Sequence, residues 1–226
     1  MFQEKLLKEA LRRYAGSLVV ERVLRMGEAA LEAGVTERDM TVMWVEPVAS
    51  RLRLAQLSPR ERYQAVVAFW SVAMAVVDRN DGLVDSYYGS AFLAYFGLRE
   101  GVDHAALAAV CASRIVEATW NIGPAEPLYV ARIGMDTGRV VHGNIGTPGR
   151  IKFTVMGEPV NVASRLALRA ANHGPQVLLS EAVIRSANPA AMPPIEPFGE
   201  ADVVGNGLTS GVFALSIAPD SNLSRV

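Results

Sequence analysis

The sequence predicts an α+β layer architecture. Two observations carry that expectation. Segments with apolar residues at helical spacing alternate with short apolar runs of strand length. Glycine-marked turns join some of those runs as hairpins, which a purely parallel sheet would not contain. Half of the 226 residues are hydrophobic, enough to fill the core that packed layers need.

Phe2, Leu6, Leu7, Ala10, Leu11 and Tyr14 recur at helical spacing over 2–15. Gly16-Ser17 interrupts the pattern, and Ser17 is placed to cap a second helix running to about Gly34. Two readings of this lead-in stand side by side: it packs on the domain, or it carries a signal or a dimer contact. Met40–Val45 reads as a strand. Ser58-Pro59, a capping residue followed by a first-turn proline, starts a long helix over Pro59–Arg79. Leu83–Tyr88 and Phe92–Tyr95 read as a hairpin around Gly89, and Val102–Trp120 as an alanine-rich helix. Leu128–Met135 and Arg139–Asn144 read as two strands joined by a turn at Asp136-Thr137-Gly138. Lys152–Met156 is a strand, Glu158–Ala171 a helix, and Gln176–Leu179 a strand with Ser180 capping the helix after it. A proline-rich run, Met192–Phe198, leads to strands near the C-terminus, Ser210–Ser216 being the clearest. Trp44 and Trp70 are expected in the core.

Composition excludes several roles. A formal net charge of −1 offers no basic surface for nucleic acid. The longest apolar stretch, Ala65 to Val77, is broken by Ser71 and falls short of the roughly 20 residues of a membrane span. Residues 2–16 are charged and helical in pattern, unlike a signal peptide. The single cysteine, Cys111, forms no internal disulfide, lies in a helical run and reads as a buried structural thiol in a reducing setting, the cytoplasm or the cytosolic part of a larger protein. His104, His142 and His173 are scattered without metal-ligand spacing, and His142 reads as structural. The run Gly143–Gly149 lacks the Lys-Ser/Thr ending of a phosphate loop and reads as a hairpin turn.

Four blocks, in order, carry a resemblance covering roughly residues 38–218. They are Thr41-Val-Met-Trp-Val-Glu46, Asp81 through Gly97, Arg132-Ile-Gly-Met-Asp-Thr-Gly through Gly146, and Ile151-Lys-Phe-Thr-Val-Met-Gly-Glu-Pro-Val-Asn-Val-Ala-Ser-Arg-Leu166. Together they resemble the class III nucleotidyl cyclases, which make cyclic AMP and cyclic GMP. The resemblance implies a ferredoxin-like βαββαβ core with extra C-terminal strands, preceded here by the N-terminal helices. It also implies head-to-tail pairing of two such domains, with sites at their interface. The implied division is a helical lead-in over 1–37, a cyclase homology domain over 38–218 and a tail over 219–226.

The resemblance also assigns roles. Asn161 matches the residue that orients the ribose, and Arg165 the one that stabilises charge on the α-phosphate. Four residues apart, they share a helix face; a packing role for this helix start stands as the other reading. Glu46 and Ser90 occupy the positions of two aspartates that bridge a pair of divalent ions. Glutamate keeps the charge but displaces the carboxylate by about 1.5 Å, one C–C bond. Serine is neutral and cannot bridge two dications. Ser86 stands at the base-reading lysine and Thr154 at its polar partner. Ala49-Ser50-Arg51 replaces the phosphate-facing loop, where Arg51 reads as a phosphate contact or a solvated surface charge. Val204, before Gly205, aligns with the triphosphate-binding lysine.

The expected function is a degenerate cyclase homology domain, inactive alone, acting as a regulatory or dimerisation module in signalling. One alternative is the metal-free half of a heterodimeric cyclase; another is a nucleotide or small-molecule sensor. No cofactor is expected, with magnesium or manganese entering only through residual or partner-assisted activity. The expected partner is a second copy or an active cyclase domain.

Overall fold

The computed structural model describes residues 2–122, 127–147, 149–173, 176–205 and 207–217. The expected tail over 219–226 and the side chain of His173 lie outside the described residues. The chain forms two compact units, one of residues 1–38 with 139–157, the other of 39–138 with 158–226.

The second unit holds the βαββαβ core. Strand β1 (Gly34–Val48, shared with the first unit) is followed by a short helix α3 (Arg51–Ala55) and the long helix α4 (Pro59–Arg79). The hairpin β2 (Leu83–Tyr88) and β3 (Ala91–Phe96), helix α5 (His104–Trp120) and strand β4 (Val130–Thr147) complete the repeat. Helix α6 (Glu158–His173), strand β6 (Val177–Ser180), helix α7 (Glu181–Ser186) and strands β7 (Ile195–Ala201) and β8 (Ser210–Leu215) extend it. The sheet order is β2-β3-β1-β4-β6-β8-β7. β1 with β3, β2 with β3, β6 with β8 and β7 with β8 pair antiparallel, while β4 and β6 run parallel. The first four strands thus take the order of a ferredoxin-like sheet.

Local chemistry explains the main elements. Ser58 accepts the Glu61 N–H, and the Glu61 carboxylate accepts the Ser58 N–H at 2.8 Å, a reciprocal cap that starts α4. Asp103 caps α5 through the Ala106 N–H, and Ser180 caps α7 through the Val183 N–H, as its position predicts. The alanines of α5 let that helix lie close to the sheet. Phe69, Ala73 and Val77 of α4 and Ala108, Cys111, Ala112 and Ile115 of α5 pack on Met43, Val45, Phe92, Phe96, Ile133 and Met135. Each large side chain buried there contributes about 1.5–3 kcal/mol. Cys111 is fully buried, and burial pushes its thiol up to about 12, so it is an inert core residue. A second cluster joins Val162, Leu166 and Ala170 of α6 to Leu178, Val212 and Ala214. Here α6 rests directly on the β4 backbone: a Cβ built on Gly134 would lie 2.0 Å from the Ala163 carbonyl oxygen.

The first unit contains helices α1 (Phe2–Ala15) and α2 (Ser17–Met26), a 3-10 turn over Gly27–Leu31, the outer ends of β1 and β4, and strand β5 (Arg150–Met156). β4 and β5 pair antiparallel from Val141↔Met156 to Thr147↔Arg150. Asn144 Nδ2 donates to the Ala30 and Glu32 carbonyls at 2.7 and 2.6 Å, and the Arg22 guanidinium lies over the Phe153 ring. The second lead-in helix therefore packs on the β4–β5 pair. α1 leaves Leu6, Leu7 and Tyr14 exposed, Tyr14 at 92%.

Several expectations need correction. Ser17 is the first residue of α2 rather than its cap; Gly16 holds the cap position at φ 81°, which glycine tolerates. α2 stops at Met26, not near Gly34. β1 starts at Gly34, six residues before Met40. Asp136-Thr137-Gly138 is not a turn: β4 is one strand of 18 residues. Gly143 and Gly146 lie within β4 rather than in a turn, at φ 143° and 147°.

His142 is structural, as its strand position predicts. Its Nε2 pairs with Thr36 Oγ1 at 2.8 Å, and its ring meets Phe153 edge-on. Burial, then the charges of Arg38 and Arg22, hold its pKa below the usual histidine value of 6.5. The unfolded chain therefore takes up this proton first as pH falls, so the stabilisation is present above pH 6.5 and lost on acidification. The melting temperature is expected to fall as the pH drops below 6.5, and to fall less in His142→Gln. Equal acid sensitivity of the two proteins counts against this assignment.

Candidate functional site

Glu46 lies near the end of β1, two residues from Trp44 and on the same strand face. Trp44 Nε1 donates to Glu46 Oε2 at 3.3 Å. The Trp44 indole also stacks against Tyr88, with ring centroids 4.7 Å apart. Burial raises the Glu46 pKa, and the bond from Trp44 partly offsets that. Pro47 is buried beside it.

Ser90 sits at the tip of the β2–β3 hairpin, after Gly89 at φ 65°. Its backbone carbonyl accepts the Trp70 Nε1–H at 2.8 Å from α4. Trp70 in turn packs on Tyr87 at 4.8 Å between ring centroids. Neighbouring strand residues face opposite ways, so Tyr87 and Tyr88 are engaged from opposite faces of the sheet and two Trp–Tyr pairs clamp the hairpin. Trp70 borders the core, as expected, but Trp44 is half-exposed on the Glu46 face. Ser86 follows the bulge in β2, and its hydroxyl donates to the Asp85 carboxylate.

Asn161 and Arg165 are exposed on α6, while Val162, Ala163 and Leu166 between and beside them are buried. The helix start thus serves packing and display at once. Arg165 Nη1 donates to the Val203 carbonyl at 2.8 Å and also to the Val204 carbonyl. The loop that offers these carbonyls is tied by Asp202, whose carboxylate accepts the Gly205 N–H at 2.5 Å and the Gly207 N–H at 2.8 Å. Gly205 has φ +87°, and a Cβ there would come within 3.0 Å of the guanidinium. Glycine is needed at that turn both for conformation and for room.

The contacts sort the expected residues into groups. Glu46 belongs with the Trp44–Tyr88 pair and Ser90 with the Trp70–Tyr87 pair, one on each face of the β2–β3 hairpin. Asn161 and Arg165 share α6 and the 202–207 loop, and among the described residues neither hydrogen-bonds to Glu46 or Ser90. Thr154 lies on β5 in the first unit, opposite Gly143. Arg51 is exposed at the first position of α3, and the Ser50 side chain makes no cap bond there. Val204 contributes its carbonyl to Arg165 where the alignment set it at a lysine position. His104 pairs through Nδ1 with Thr41 Oγ1 at 2.8 Å, and Thr41 with Thr137, on the core side. Trp44, Trp70 and Asp202 were not among the expected site residues. Trp44 was legible, since an i, i+2 pair in a strand shares a face; the reach of Trp70 and Asp202 depends on the fold.

The βαββαβ sheet, the added C-terminal strands and the Asn161/Arg165 helix define a protein of the nucleotidyl cyclase fold. Residues 36–214 match the model of the adenylate and guanylate cyclase catalytic domain, and the chain belongs to that family. It superposes on a bacterial light-regulated adenylyl cyclase with a TM-score of 0.81 at 17% identity, covering 98% of this chain and 64% of that one. The adenylyl cyclase CyaB from P. aeruginosa gives 0.71 at 18% identity, over 83% and 98% of the two chains. The guanylyl cyclase Cya2 gives 0.68 at 22% identity, over 86% and 100%. At these identities the likeness is one of fold. Two uncharacterized proteins of Mycobacterium tuberculosis are 32% and 30% identical over 155 and 157 residues, 69% and 70% of this chain. The chain spans 27% and 29% of those relatives, about a quarter of their length. No helix among the described residues is long and apolar enough to cross a membrane.

Proposed function

We propose that this is a degenerate cyclase homology domain, inactive alone, that serves as a regulatory or dimerisation module in cytoplasmic signalling. The observation that carries this reading is the state of the two ion-bridging positions. They supply one carboxylate, and that one accepts a hydrogen bond from Trp44. Ser90 adds no charge, and its carbonyl is committed to Trp70. A site for two divalent ions needs bridging carboxylates in near-octahedral geometry, and these residues do not fit it. Two further features support the reading. Ser86 offers a hydroxyl that is bonded to Asp85 in place of a base-reading ammonium. Arg165 spends a guanidinium nitrogen on its own backbone.

The test is a cyclase assay on the purified protein with ATP, GTP, CTP and UTP and manganese. The expected result is no cyclic nucleotide from any of the four. Product formation that Arg165→Ala abolishes would overturn the reading and make Glu46 a lone metal ligand.

One observation favours a second reading. Asn161 and Arg165 remain exposed on one helix face, as a metal-free half would need in order to complete a site with a metal-bearing partner domain. Mixing the chain with such a domain and measuring cyclic nucleotide separates the two: product that requires both chains and is lost in Arg165→Ala supports the heterodimeric cyclase.

A further inference from the structure

The C-terminal ends of α4 and α5 flank an open cleft of about 480 Å³, lined by Arg79, Asn80, Arg114, Glu117 and Asn121 among others. That volume falls within the usual range for small-molecule sites. Arg79 is nine residues along α4 from Trp70, roughly 13 Å by helical rise. The cleft therefore lies at the C-terminal end of α4, more than two turns beyond the mid-helix residue that holds the Ser90 hairpin.

Two helices ending together would normally present partial negative charge. Here donors cover several of those carbonyls. Arg79 Nε donates to Ala75 O at 2.9 Å and Asn80 Nδ2 to Val76 O at 2.7 Å. The Asn80 and Gly82 N–H groups donate to Val77 O, and Asn121 donates to Glu117 O through both its N–H and its Nδ2. The Arg79 and Arg114 guanidinium groups line the cleft together with the single carboxylate of Glu117.

Arg114 is held in place from below. Asn80 is only 6% exposed, and its Oδ1 accepts the Arg114 Nη1–H at 2.5 Å. A buried amide thus fixes the orientation of an exposed cation, which cuts the ordering cost of binding. Among the described residues no carboxylate pairs with Arg79 or Arg114, so each guanidinium keeps N–H groups for a ligand. A planar fork of this kind matches phosphate and carboxylate oxygens.

We propose that this cleft binds a small oxyanion ligand, a phosphate- or carboxylate-bearing metabolite, gripped by Arg79 and Arg114. Glu117 on the same wall disfavours ligands of high negative charge and favours one that carries a hydrogen-bond donor beside its anionic group. The site stands apart from the reading of Glu46, Ser90 and Arg165 and does not depend on it.

The test is a titration of the intact chain, with arginine Nε–H signals followed by NMR at constant ionic strength. Inorganic phosphate is the probe in one arm and succinate in the other. The Arg79 and Arg114 signals are expected to shift saturably in at least one arm; the arm that responds identifies the source of the oxyanion. Arg114→Gln is expected to weaken binding about tenfold or more, the loss of one charge-assisted pair. Arg165→Ala is expected to leave binding intact. No saturable shift in either arm up to ~20 mM overturns the proposal, because a built site should exceed that affinity. Unaltered binding in Arg114→Gln, or loss of binding in Arg165→Ala, overturns it as well.

Discussion

Gly134→Ala is expected to remove most of the stability of this protein. The added Cβ would lie 2.0 Å from the Ala163 carbonyl oxygen, 2.3 Å from the Ala167 nitrogen and 2.8 Å from the Leu166 Cβ. The first two are backbone atoms of α6, so no side-chain rotation relieves the overlap. The helix must lift from β4 and lose the contacts of Leu166, which is fully buried. Overpacking that moves a whole helix belongs with the rare large effects, upward of about 4 kcal/mol. A domain with about 5–15 kcal/mol in total cannot absorb that easily. The melting temperature should fall by roughly 10 °C or more. Gly149→Ala is the matched control, because no atom lies within 4 Å of the place its Cβ would take, and it should melt like the wild type. A Gly134→Ala protein that melts with the control would show that α6 does not rest on the strand as described.

The second large effect concerns metal. On the proposed function, Glu46→Asp with Ser90→Asp places two short carboxylates at the positions that the family resemblance assigns to ion-bridging aspartates. The shorter side chain at 46 also withdraws from Trp44 Nε1, freeing both oxygens. Manganese at a hundredfold excess over its Kd would then stabilise the double variant by about 2.7 kcal/mol, or roughly 5–10 °C in melting temperature. On the proposed function the wild type should show no such rise. Equal stabilisation of the two proteins by manganese would sink the claim that the ion site has been lost. The double variant is not expected to gain cyclase activity, since Ser86 and the tethered Arg165 are unchanged.

Much of the fold was legible because local chemistry agrees with it. Ser58-Pro59 with Glu61 announces the start of α4, Gly89 marks the hairpin, and the spacing of Val162, Ala163 and Leu166 gives the packed face of α6. The misread places share a cause. Asp136-Thr137-Gly138 has the composition of a turn, yet long-range partners hold it extended. The Asp136 carboxylate accepts the Ser180 hydroxyl, and Thr137 Oγ1 bonds Thr41 Oγ1 at 2.7 Å. A Cβ on Gly138 would meet Pro159 at 3.2 Å, so the glycine serves a close approach rather than a reversal. These partners lie roughly 20 to 100 residues away in sequence, beyond the reach of any local propensity. The same holds at the candidate site. The family resemblance singles out Glu46, Ser90, Asn161 and Arg165, but the bonds these residues make could not be read from their neighbours in sequence. The Val203 and Val204 carbonyls that hold Arg165 belong to a loop nearly forty residues downstream.

The first compact unit is assembled from two stretches, 1–38 and 139–157. A ribosome delivers them far apart in time. At about 10 residues per second, roughly ten seconds separate the emergence of α2 from that of β5. During that interval Asn144 and Phe153, which will anchor the 3-10 turn and Arg22, do not yet exist. The leading segment must wait as nascent chain, with Val20 and Ala30, both buried in the finished fold, still uncovered, while the α4–α5 side of the sheet can already condense. Nascent-chain arrest at successive lengths should therefore show protease protection of residues 40–120 well before residues 17–38 become protected.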